Sequence, residues 1–503
     1  MSTGLERPRA RSPGPVRPDG LAQDVAAALD RRGANAAQDD LVALVADGAT
    51  AFLARAASAR RATRSLDLQY YMWRSDVTGR LLAREVLAAA DRGVVVRLLL
   101  DDVYAPGRER TLAALDEHPR IAVRLFNGTR WRRFGALGFP LELAFGGWHL
   151  NRRMHNKSWI ADGCLAVVGG RNVGDEYFDL SAEDLITFRD LDLVIAGEAA
   201  AQARSVFEAY WASPLARPAA STAATAARSG GLRALRPVLA AAAQAPQAQV
   251  LLAALQDNPL DHVRDDLVRV PRRAVQIVAD RPEKARRGLG ARKRARAAGG
   301  IAAEIADVLR LARHEVLLIS PYLVPGRAGL RLLRELRGRG VRISAVTNSL
   351  LATDVVAVHG GYAKYRRAML RMGIDLHELK PGTEDERASL LGSRGAALHT
   401  KAVAVDGAVA FVGSFNLDPR SAALNTEMGA FIRHPRLASA VADEHARLTD
   451  PAVSWRVVLD NDVMRWCDMG ADGPRQVAQE PPASWTRRIL AWLVRRLPVE
   501  EQL

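Results

Sequence analysis

The sequence predicts an α/β protein assembled from two tandem copies of one domain. Apolar strands alternate with amphipathic helices through short connections, which is the pattern of a buried, largely parallel sheet covered by helices. The same order of elements occurs twice along the chain. A nine-residue pattern, H-x-K-x-x-x-x-D-G, begins at His155 and again at His399, so the two copies are offset by about 244 residues.

The elements of the two copies correspond. Several of the expected helices end at a glycine, as helices commonly do. In the first copy we expect a helical region at 21–61, strands at 65–73, 94–100, 121–126 and 191–195, and helices at 79–92 and 199–211. In the second copy we expect strands at 275–280, 315–322, 341–347 and 374–379, and helices at 301–313, 328–339 and 362–372.

Shifts in composition divide the chain into five segments. The start of the chain is rich in Arg and Pro, and a stretch rich in Ala, Ser, Thr and Pro separates the two copies. The expected segments are a disordered basic lead at 1–20, a first domain at 21–213, an Ala-rich linker at 214–245, a second domain at 246–450 and a C-terminal extension at 451–503.

Charge and composition narrow the class of protein. The chain has 503 residues, 49% of them hydrophobic, and a net charge of +15, which favours anionic partners such as phospholipid surfaces, phosphorylated molecules or nucleic acid. Its two cysteines, Cys164 and Cys467, suggest neither a disulfide framework nor a Cys-based zinc site. We see neither a secretory signal nor an apolar run of membrane-spanning length. We therefore expect a protein that is peripheral to the cytoplasmic side of the cell membrane, or otherwise cytoplasmic.

The repeated pattern carries the chemistry. In a strand, His155 and Lys157 share one face, as do His399 and Lys401. An Asn follows each His by seventeen positions, after a Gly-Gly or Gly-Ser step. Asp162 and Asp406 complete the two patterns, and because Asp-Gly favours tight turns, these carboxylates suit turn formation better than proton transfer. The corresponding later positions are Asn172, Gly170, Asn416 and Ser414.

Two His, two Lys and two Asn that converge would suit a phosphodiester. Lys and Asn can neutralise and orient the non-bridging oxygens, so no metal is required. One neutral imidazole can attack phosphorus while the other, protonated, gives its proton to the leaving alkoxide. A carboxylate should orient each ring, and Asp190 and Glu427 are the candidates. A lone H-x-K could be a surface histidine beside a solvated lysine, but two matched copies favour a site.

These residues resemble the phospholipase D superfamily and its duplicated HKD motif. Within it the chain is similar to bacterial cardiolipin synthases, especially the shorter kind without N-terminal transmembrane helices. The stretches that carry this resemblance are Asp67–Trp73, Gly169–Phe178, Ser320–Gly326 and Thr347–Leu350, besides the two motifs.

The resemblance implies a fold, a reaction and residue roles. The fold is a pair of α-β-α sandwich domains related by a pseudo-twofold axis. The reaction forms cardiolipin from phosphatidylglycerol and a second phospholipid, phosphatidylglycerol or phosphatidylethanolamine, through a phosphohistidine and without a cofactor. His155 would be the nucleophile and His399 the general acid, although the reverse is possible. The motif lysines and asparagines would hold phosphate.

Three other functions remain open. A phospholipase D-type hydrolase would use water as the acceptor, and a nuclease or phosphodiesterase of the same superfamily would suit the basic charge. A non-catalytic lipid-binding or nucleic-acid-binding protein on a decayed scaffold is a further alternative. The intact His and Lys in both copies argue against it. The leading expectation is a monomeric site for anionic phospholipids, without nucleic acid.

Two regions could contact lipid. The segment 129–150 is rich in aromatic residues and arginine, and we weigh a lipid-touching lip evenly against a core-packed loop. At the C-terminus, Trp485, Ile489, Trp492, Leu493 and Leu497 share one helical face, with Ser484 as a possible cap and arginines on the flanks. That helix either docks on the body or lies in the membrane interface. Of the remaining histidines, His359 suits a structural role better than substrate contact.

Overall fold

The computed structural model describes residues 20–105, 109–129, 142, 148–180, 186–219, 231–286, 299–381, 395–470, 473–477, 480 and 485–496. Within these ranges the protein is a duplicated α/β fold, which confirms the predicted fold class. Each half contains a mixed sheet in which three adjacent strands run parallel and the other neighbouring pairs are antiparallel, and helices cover both faces of it. The expected lead at 1–20, apart from Gly20, lies outside the described residues.

The first sheet contains nine of the described strands. Its order is β10-β1-β8-β6-β5-β2-β3-β4-β9. The strands up to residue 271 are β1 (Asp39–Val45), β2 (Ser65–Tyr70), β3 (Val95–Asp101), β4 (Ile121–Phe126), β5 (Ser158–Ala161), β6 (Leu165–Gly169), β7 (Ile186–Arg189), β8 (Asp192–Ala196), β9 (Ala216–Pro218) and β10 (Val268–Pro271). The helices are α1 (Leu21–Arg31), α2 (Gly48–Arg61), α3 (Val77–Asp91), α4 (Glu109–Asp116), α5 (Glu198–Trp211), α6 (Gly231–Ala242) and α7 (Pro246–Ala254).

The second sheet contains ten of the described strands. Its order is β11-β18-β17-β16-β12-β13-β14-β19-β20-β21. The strands from residue 275 onward are β11 (Val275–Ala279), β12 (Glu315–Ile319), β13 (Arg342–Asn348), β14 (Asp375–Leu379), β15 (Gly395–Leu398), β16 (Ala402–Val405), β17 (Val409–Gly413), β18 (Met428–Ile432), β19 (Ser454–Asp460), β20 (Val463–Gly470) and β21 (Gly473–Val477). Of these, β15 does not belong to the second sheet. The helices are α8 (Ile301–Arg310), α9 (Gly326–Gly338), α10 (Val356–Arg371), α11 (Pro419–Ala423), α12 (Pro435–Thr449) and α13 (Trp485–Arg496).

The continuous helical region expected at 21–61 is wrong, because β1 interrupts it. Strand β1 pairs antiparallel with β8 on one side and β10 on the other. Its Leu41, Val42 and Ala43 are fully buried. These partners lie far away in sequence, so tertiary pairing overrides the helical preference of an Ala-rich stretch. Asp47 then caps α2 by accepting a hydrogen bond from the Thr50 amide.

Residues 231–271 pack with the first half. Leu235, Leu239 and Leu251 of α6 and α7 belong to the same apolar cluster as the helices α2 and α3. Strand β10 is an edge strand of the first sheet. The domain limits at 214, 246 and 451 stay predictions, but the second sheet itself begins at Val275.

The two halves meet through a shared apolar layer and a small separate sheet. Val42 and Leu193 of the first sheet, and Ile319 and Val412 of the second, belong to one buried cluster that also contains residues of α12. Strand β7 of the first half pairs in parallel with β15 of the second. This pairing joins the segment that leads into Asp190 to the segment that leads into the second H-x-K motif, and it positions the site between the halves.

Candidate active site

Each H-x-K motif is anchored on the opposite half of the molecule. The backbone N–H of His155 donates to the carbonyl of Thr426 at 2.8 Å, and the Thr426 N–H donates to the carbonyl of Arg153 at 2.9 Å. In the pseudo-symmetric position, the N–H groups of His399 and Thr400 both donate to the carbonyl of Arg189, at 2.8 and 3.0 Å. The backbone therefore brings the two histidine segments to one place.

The orienting carboxylates are exchanged between the halves. His155 Nδ1 lies 2.8 Å from Glu427 Oε2, and His399 Nδ1 lies 2.5 Å from Asp190 Oδ2. Both carboxylates are buried, with Asp190 at 2% and Glu427 at 0% exposure. The sequence named these two residues as candidates but did not assign each to a ring. With Nδ1 occupied, Nε2 of each imidazole is the nitrogen available for chemistry.

The motif lysines are buried beside the histidines. Lys157 Nζ donates to the carbonyl of His155 at 2.7 Å, and Lys401 Nζ donates to the carbonyl of His399. Burial lowers the pKa of Lys157 well below its ordinary value, although Glu427 works in the opposite direction. Burial likewise lowers the pKa of Lys401 to about 8, against the raising effect of Asp190. Two poorly solvated ammonium groups make this region attractive to an anion.

Burial also lowers the pKa of both histidines. For His155 the desolvation is opposed by Glu427 and reinforced by Lys157. The pKa of His399 lies well below the ordinary value because burial acts together with the charges of Lys401, Lys157 and His155. These mutual effects show that the two motifs share one electrostatic environment. Both rings therefore favour the neutral form until a negatively charged group enters.

The two carboxylates differ in how they are held. Glu427 accepts hydrogen bonds from the hydroxyls of Ser414 at 2.5 Å and Ser421 at 2.9 Å, in addition to His155. Burial works to raise its pKa, but His155, Lys157 and these donors keep it below the ordinary value. Burial raises the pKa of Asp190, which accepts from its neighbouring Leu191 amide at 2.9 Å.

Gly170 and Ser414, which occupy matching positions, are not interchangeable. A Cβ at Gly170 would overlap the carboxylate of Asp190, so the glycine makes room for it. Ser414 instead uses its hydroxyl as a bridge, donating to Glu427 and accepting from the Met428 amide at 3.0 Å. Both predicted substrate-binding positions thus contact the orienting carboxylates.

The two asparagines are buried within the same region. Asn172 Nδ2 lies 3.0 Å from the Tyr177 hydroxyl, and the side-chain oxygens of Asn172 and Asn416 have no hydrogen-bond partner. Buried polar atoms without partners are costly, and a ligand can satisfy them. An amide flip of Asn172, which exchanges its side-chain oxygen and nitrogen, would let Tyr177 donate to the oxygen and would free the nitrogen as a donor.

Asp162 and Asp406, which complete the two motifs in sequence, lie in turns, as their Asp-Gly pairs predict. Asp162 has φ 52 and its carboxylate accepts from the amides of Thr63, Arg64 and Ser65. Asp406 has the same φ and accepts from the amides of Arg313, His314 and Glu315. Both form the turn between the two strands of a hairpin and fasten it to a neighbouring segment, so they stabilise the motif rather than react.

Sequence reasoning missed the aromatic side chains around the histidines. The Tyr71 ring lies 5.1 Å from His155, and the rings of Tyr177 and Phe188 lie 5.1 and 5.2 Å from His399. The Tyr71 ring also lies 5.4 Å from Lys157 Nζ. Such rings limit solvent access and hold the imidazoles in place. For Tyr71 and Tyr177 the available signal was their presence in the stretches that resemble the superfamily, and Phe188 lies two positions before the candidate Asp190.

His359 has a structural environment, as expected. Its Nε2 lies 2.8 Å from Glu480 and 3.0 Å from Arg366 Nη2. Arg366 also pairs with the buried Glu378 at 3.0 Å. This network fastens Glu480 to α10.

The C-terminal helix is docked and still exposes apolar side chains. Helix α13 packs along α10. Ile489, Trp492 and Leu493 nevertheless remain 49%, 53% and 46% exposed. Ser484 and Leu497 lie outside the described residues, as do 130–141 and 143–147 of the proposed aromatic lip. None of the described helices has the length and apolar character needed to cross a bilayer.

Comparison with known proteins identifies the family of the chain. The family model described as "Cardiolipin synthase, PLD-like domain" matches residues 56–211 and 305–449, which contain both motifs. Cardiolipin synthase C of Escherichia coli strain K12 is 37% identical over 456 residues, which cover 90% of this chain and 93% of the relative. A cardiolipin synthase of Geobacillus kaustophilus is 27% identical over 78% of this chain and 62% of its own length.

A solved structure shares the fold. The crystal structure of phosphatidylserine synthase from Haemophilus influenzae Rd KW20 aligns with a TM-score of 0.58 over 95% of this chain and 100% of that chain, at 12% identity. Such low identity speaks for the architecture alone. The family match and the E. coli relative show that the chain belongs to the family described as "Cardiolipin synthase, PLD-like domain". It is a phospholipid phosphatidyltransferase of the phospholipase D superfamily.

Proposed function

We propose that this protein makes cardiolipin from phosphatidylglycerol and a second phospholipid, phosphatidylglycerol or phosphatidylethanolamine, through a covalent phosphohistidine. One observation carries the proposal. Each motif histidine is held at Nδ1 by a buried carboxylate of the opposite half, so two oriented imidazoles share a pocket with Lys157 and Lys401. That combination provides a nucleophile, a proton donor and a positive environment for one phosphodiester.

In the first step, Nε2 of His155 attacks phosphorus. The N–P bond forms as the P–O bond to the headgroup alcohol breaks, and the leaving oxygen takes a proton from Nε2 of His399. Glu427 stabilises the positive charge that develops on His155, because three side-chain donors hold it as a carboxylate. The opposite assignment of the two histidines is the alternative arrangement.

In the second step, the acceptor lipid replaces the histidine. His399, now neutral, removes the proton from a glycerol hydroxyl of phosphatidylglycerol. The hydroxyl oxygen bonds to phosphorus and the N–P bond breaks, which restores both imidazoles. Asp190 keeps the His399 ring oriented through its contact at 2.5 Å while the proton moves in both directions.

The lysines and asparagines hold the phosphate throughout. A phosphodiester that enters between Lys157 and Lys401 replaces the water those ammonium groups have lost, and its charge favours their protonated forms. Asn172 and Asn416 are buried and lie at matching positions in the two copies. Their amide nitrogens, turned toward the substrate, donate to the phosphate oxygens, which can only accept.

Membrane contact follows from the nature of the lipid substrates. The acyl chains stay in or near a bilayer, and the exposed Ile489, Trp492 and Leu493 of α13 offer an apolar surface beside cationic side chains such as Arg488. Apolar anchors with flanking arginines suit an anionic lipid interface. We place the protein on the cytoplasmic face of the cell membrane, as a monomeric site for phospholipids without nucleic acid.

Lipid mass spectrometry tests the proposal. The protein is incubated with phosphatidylglycerol vesicles, with and without phosphatidylethanolamine, and the products are identified. Cardiolipin should form with wild type and with His314→Ala, a variant at an exposed histidine. It should not form with His155→Ala or His399→Ala. Phosphatidic acid without cardiolipin would identify a hydrolase instead, and cleavage of DNA without lipid turnover would overturn the proposal.

A further inference from the structure

The loop 349–355 lies between the C-terminal helix and the candidate active site. It follows β13, whose parallel neighbours are β12 and β14, and it leads into α10. Ligands commonly bind beyond the carboxyl ends of parallel strands, and this loop starts at such an end. The residue directly before the loop, Asn348, belongs to a stretch that carries the superfamily resemblance. The sequence assigned no role to Asn348.

Where the loop begins, it holds the backbone of the second motif. The Asn348 side chain donates from Nδ2 to the Leu398 carbonyl and accepts at Oδ1 from the Leu398 N–H, both at 2.8 Å. Leu398 directly precedes His399. An amide that pairs with both backbone groups of one residue acts like a neighbouring strand. Because Asn348 is only 2% exposed, this pairing fixes the chain that carries the catalytic imidazole.

Near its other end, the loop holds a side chain beside the second lysine. Both carboxylate oxygens of Asp354 lie 2.9 Å from the Tyr322 hydroxyl. Ile319 pairs with Ala402 across β12 and β16, so the chain that leads to Tyr322 runs alongside Lys401. The negative charge of Asp354 favours the protonated form of Lys401.

The middle of the loop is held by the C-terminal helix. Arg487 of α13 donates from Nη1 to the Leu351 carbonyl at 3.3 Å and from Nη2 to the Thr353 carbonyl. Thr353 is buried, at 1% exposure. A planar guanidinium can satisfy two carbonyls at once, whereas a lysine offers a single point of attachment.

We propose that Arg487 is a positioning residue, which ties α13 to the loop 349–355 and thereby sets the placement of His399 and of Asp354 beside Tyr322 and Lys401. The helix then acts on the active site itself as well as on lipid. An event that shifts α13, such as its binding to a bilayer, is transmitted through one short loop, which is preceded by the contact of Asn348 with Leu398 and carries the contact of Asp354 with Tyr322 near its other end. This inference rests on the proposed phosphatidyl transfer.

A soluble substrate separates positioning from membrane attachment. Short-chain phosphatidylglycerol below its critical micelle concentration is converted to short-chain cardiolipin and glycerol, and both products are measured. Arg487→Ala and Arg487→Lys should each lower kcat/KM on this substrate by about 5-fold or more, the range of a typical coupling between sites. Arg487→Lys keeps its charge and should still co-sediment with anionic vesicles as wild type does.

The matched control removes an exposed arginine of the same half. Arg334→Ala, on the outer surface of α9, should match wild type on the soluble substrate. Equal melting temperatures of all variants show that the fold is retained. If Arg487→Ala has wild-type kinetics on the soluble substrate and only binds vesicles less well, α13 is a membrane anchor and the inference is wrong.

A double-mutant cycle and a pH profile exclude a merely structural effect. Asp354→Asn removes a negative charge that acts on Lys401, so the alkaline limb of kcat/KM should move to lower pH. The other charged groups that act on Lys401 or respond to it are Asp190, Glu427, Asp418, Lys157, His155 and His399. Arg487→Ala should shift the limb in the same direction, and in the Asp354→Asn background its effect should largely disappear.

The outcomes distinguish the two proposals. Additive losses with an unchanged pH profile would show that Arg487 does not act through Asp354, and would overturn the inference. If wild type cleaves the lipid without making cardiolipin, transfer is wrong, and the Arg487 series is then measured on that cleavage. A wild-type protein that cleaves no phosphodiester overturns both.

Discussion

The two half-sites share the pairing of a histidine with a buried carboxylate, but they differ in the residues that support that carboxylate. In one half-site, His155 is held by Glu427, whose carboxylate is supported by two serine hydroxyls. In the other, His399 is held by Asp190, where Gly170 leaves room for the carboxylate in place of a hydroxyl. Burial and opposing donors leave the pKa of Glu427 lowered and that of Asp190 raised. A duplicated fold has thus provided two imidazoles with unequal surroundings, which is what a nucleophile and a general acid require.

Removing the charge from either carboxylate should have the largest effect. Asp190→Asn and Glu427→Gln keep the size of the side chain but no longer stabilise an imidazolium or its correct tautomer. We expect kcat to fall by about 10³–10⁴ for each, as in other oriented His–carboxylate pairs. Glycerol release from phosphatidylglycerol vesicles measures it. A loss below tenfold in either variant would show that its carboxylate does not orient the catalytic ring.

The second largest loss of kcat should come from giving the first half the serine of the second. Gly170→Ser places a Cβ where the Asp190 carboxylate lies, so His399 loses its orientation, and we expect about 10²-fold lower kcat. The reciprocal control, Ser414→Ala, removes one hydrogen bond to Glu427 and should cost only about tenfold. The same assay of glycerol release measures kcat for both variants. Equal losses of kcat in the two variants would contradict the asymmetry between the half-sites.

The alkaline side of the pH profile should report a lysine of the second half. Burial lowers the pKa of Lys401 to about 8, so the free enzyme loses this positive charge as the pH rises through that value. We therefore expect kcat/KM, which already falls as His399 of the free enzyme loses its proton, to fall more steeply above about pH 8, because kcat/KM reports the free enzyme. In kcat this second decline should lie at higher pH, since bound phosphate favours the protonated amine. A kcat/KM whose slope does not change between pH 8 and pH 10 would argue against a buried, catalytic Lys401.

The smallest effects on turnover should come from the turn aspartates. Asp162→Ala removes a buried acceptor of three backbone amides and should lower the free energy of unfolding by about 1–3 kcal/mol. Asp406→Ala should cost less, because its side chain is more exposed to solvent. Thermal denaturation measures both, while kcat at a temperature where the proteins are folded should match wild type. A loss of kcat in a fully folded variant would show that the aspartate takes part in catalysis.

The expected helix at 21–61 shows where local patterns are insufficient. An Ala-rich segment with helical spacing is ambiguous until its partners are known, and here β8 and β10 recruit its middle as a strand. The Asp-Gly turns, in contrast, were predictable because φ near 50° at an aspartate followed by glycine is a local requirement of a tight hairpin.

The sequence by itself determined the duplication, the two H-x-K motifs, their turns and the identity of both carboxylates, since each depends on residue type and spacing within one segment. Only the tertiary structure decided that Glu427 serves His155 and Asp190 serves His399, that aromatic rings enclose both imidazoles, and that Arg487 lies against the loop 349–355. The physical reason is that these contacts join residues at least 84 positions apart (Tyr71 to His155), and the order of strands in the two sheets determines which of them meet.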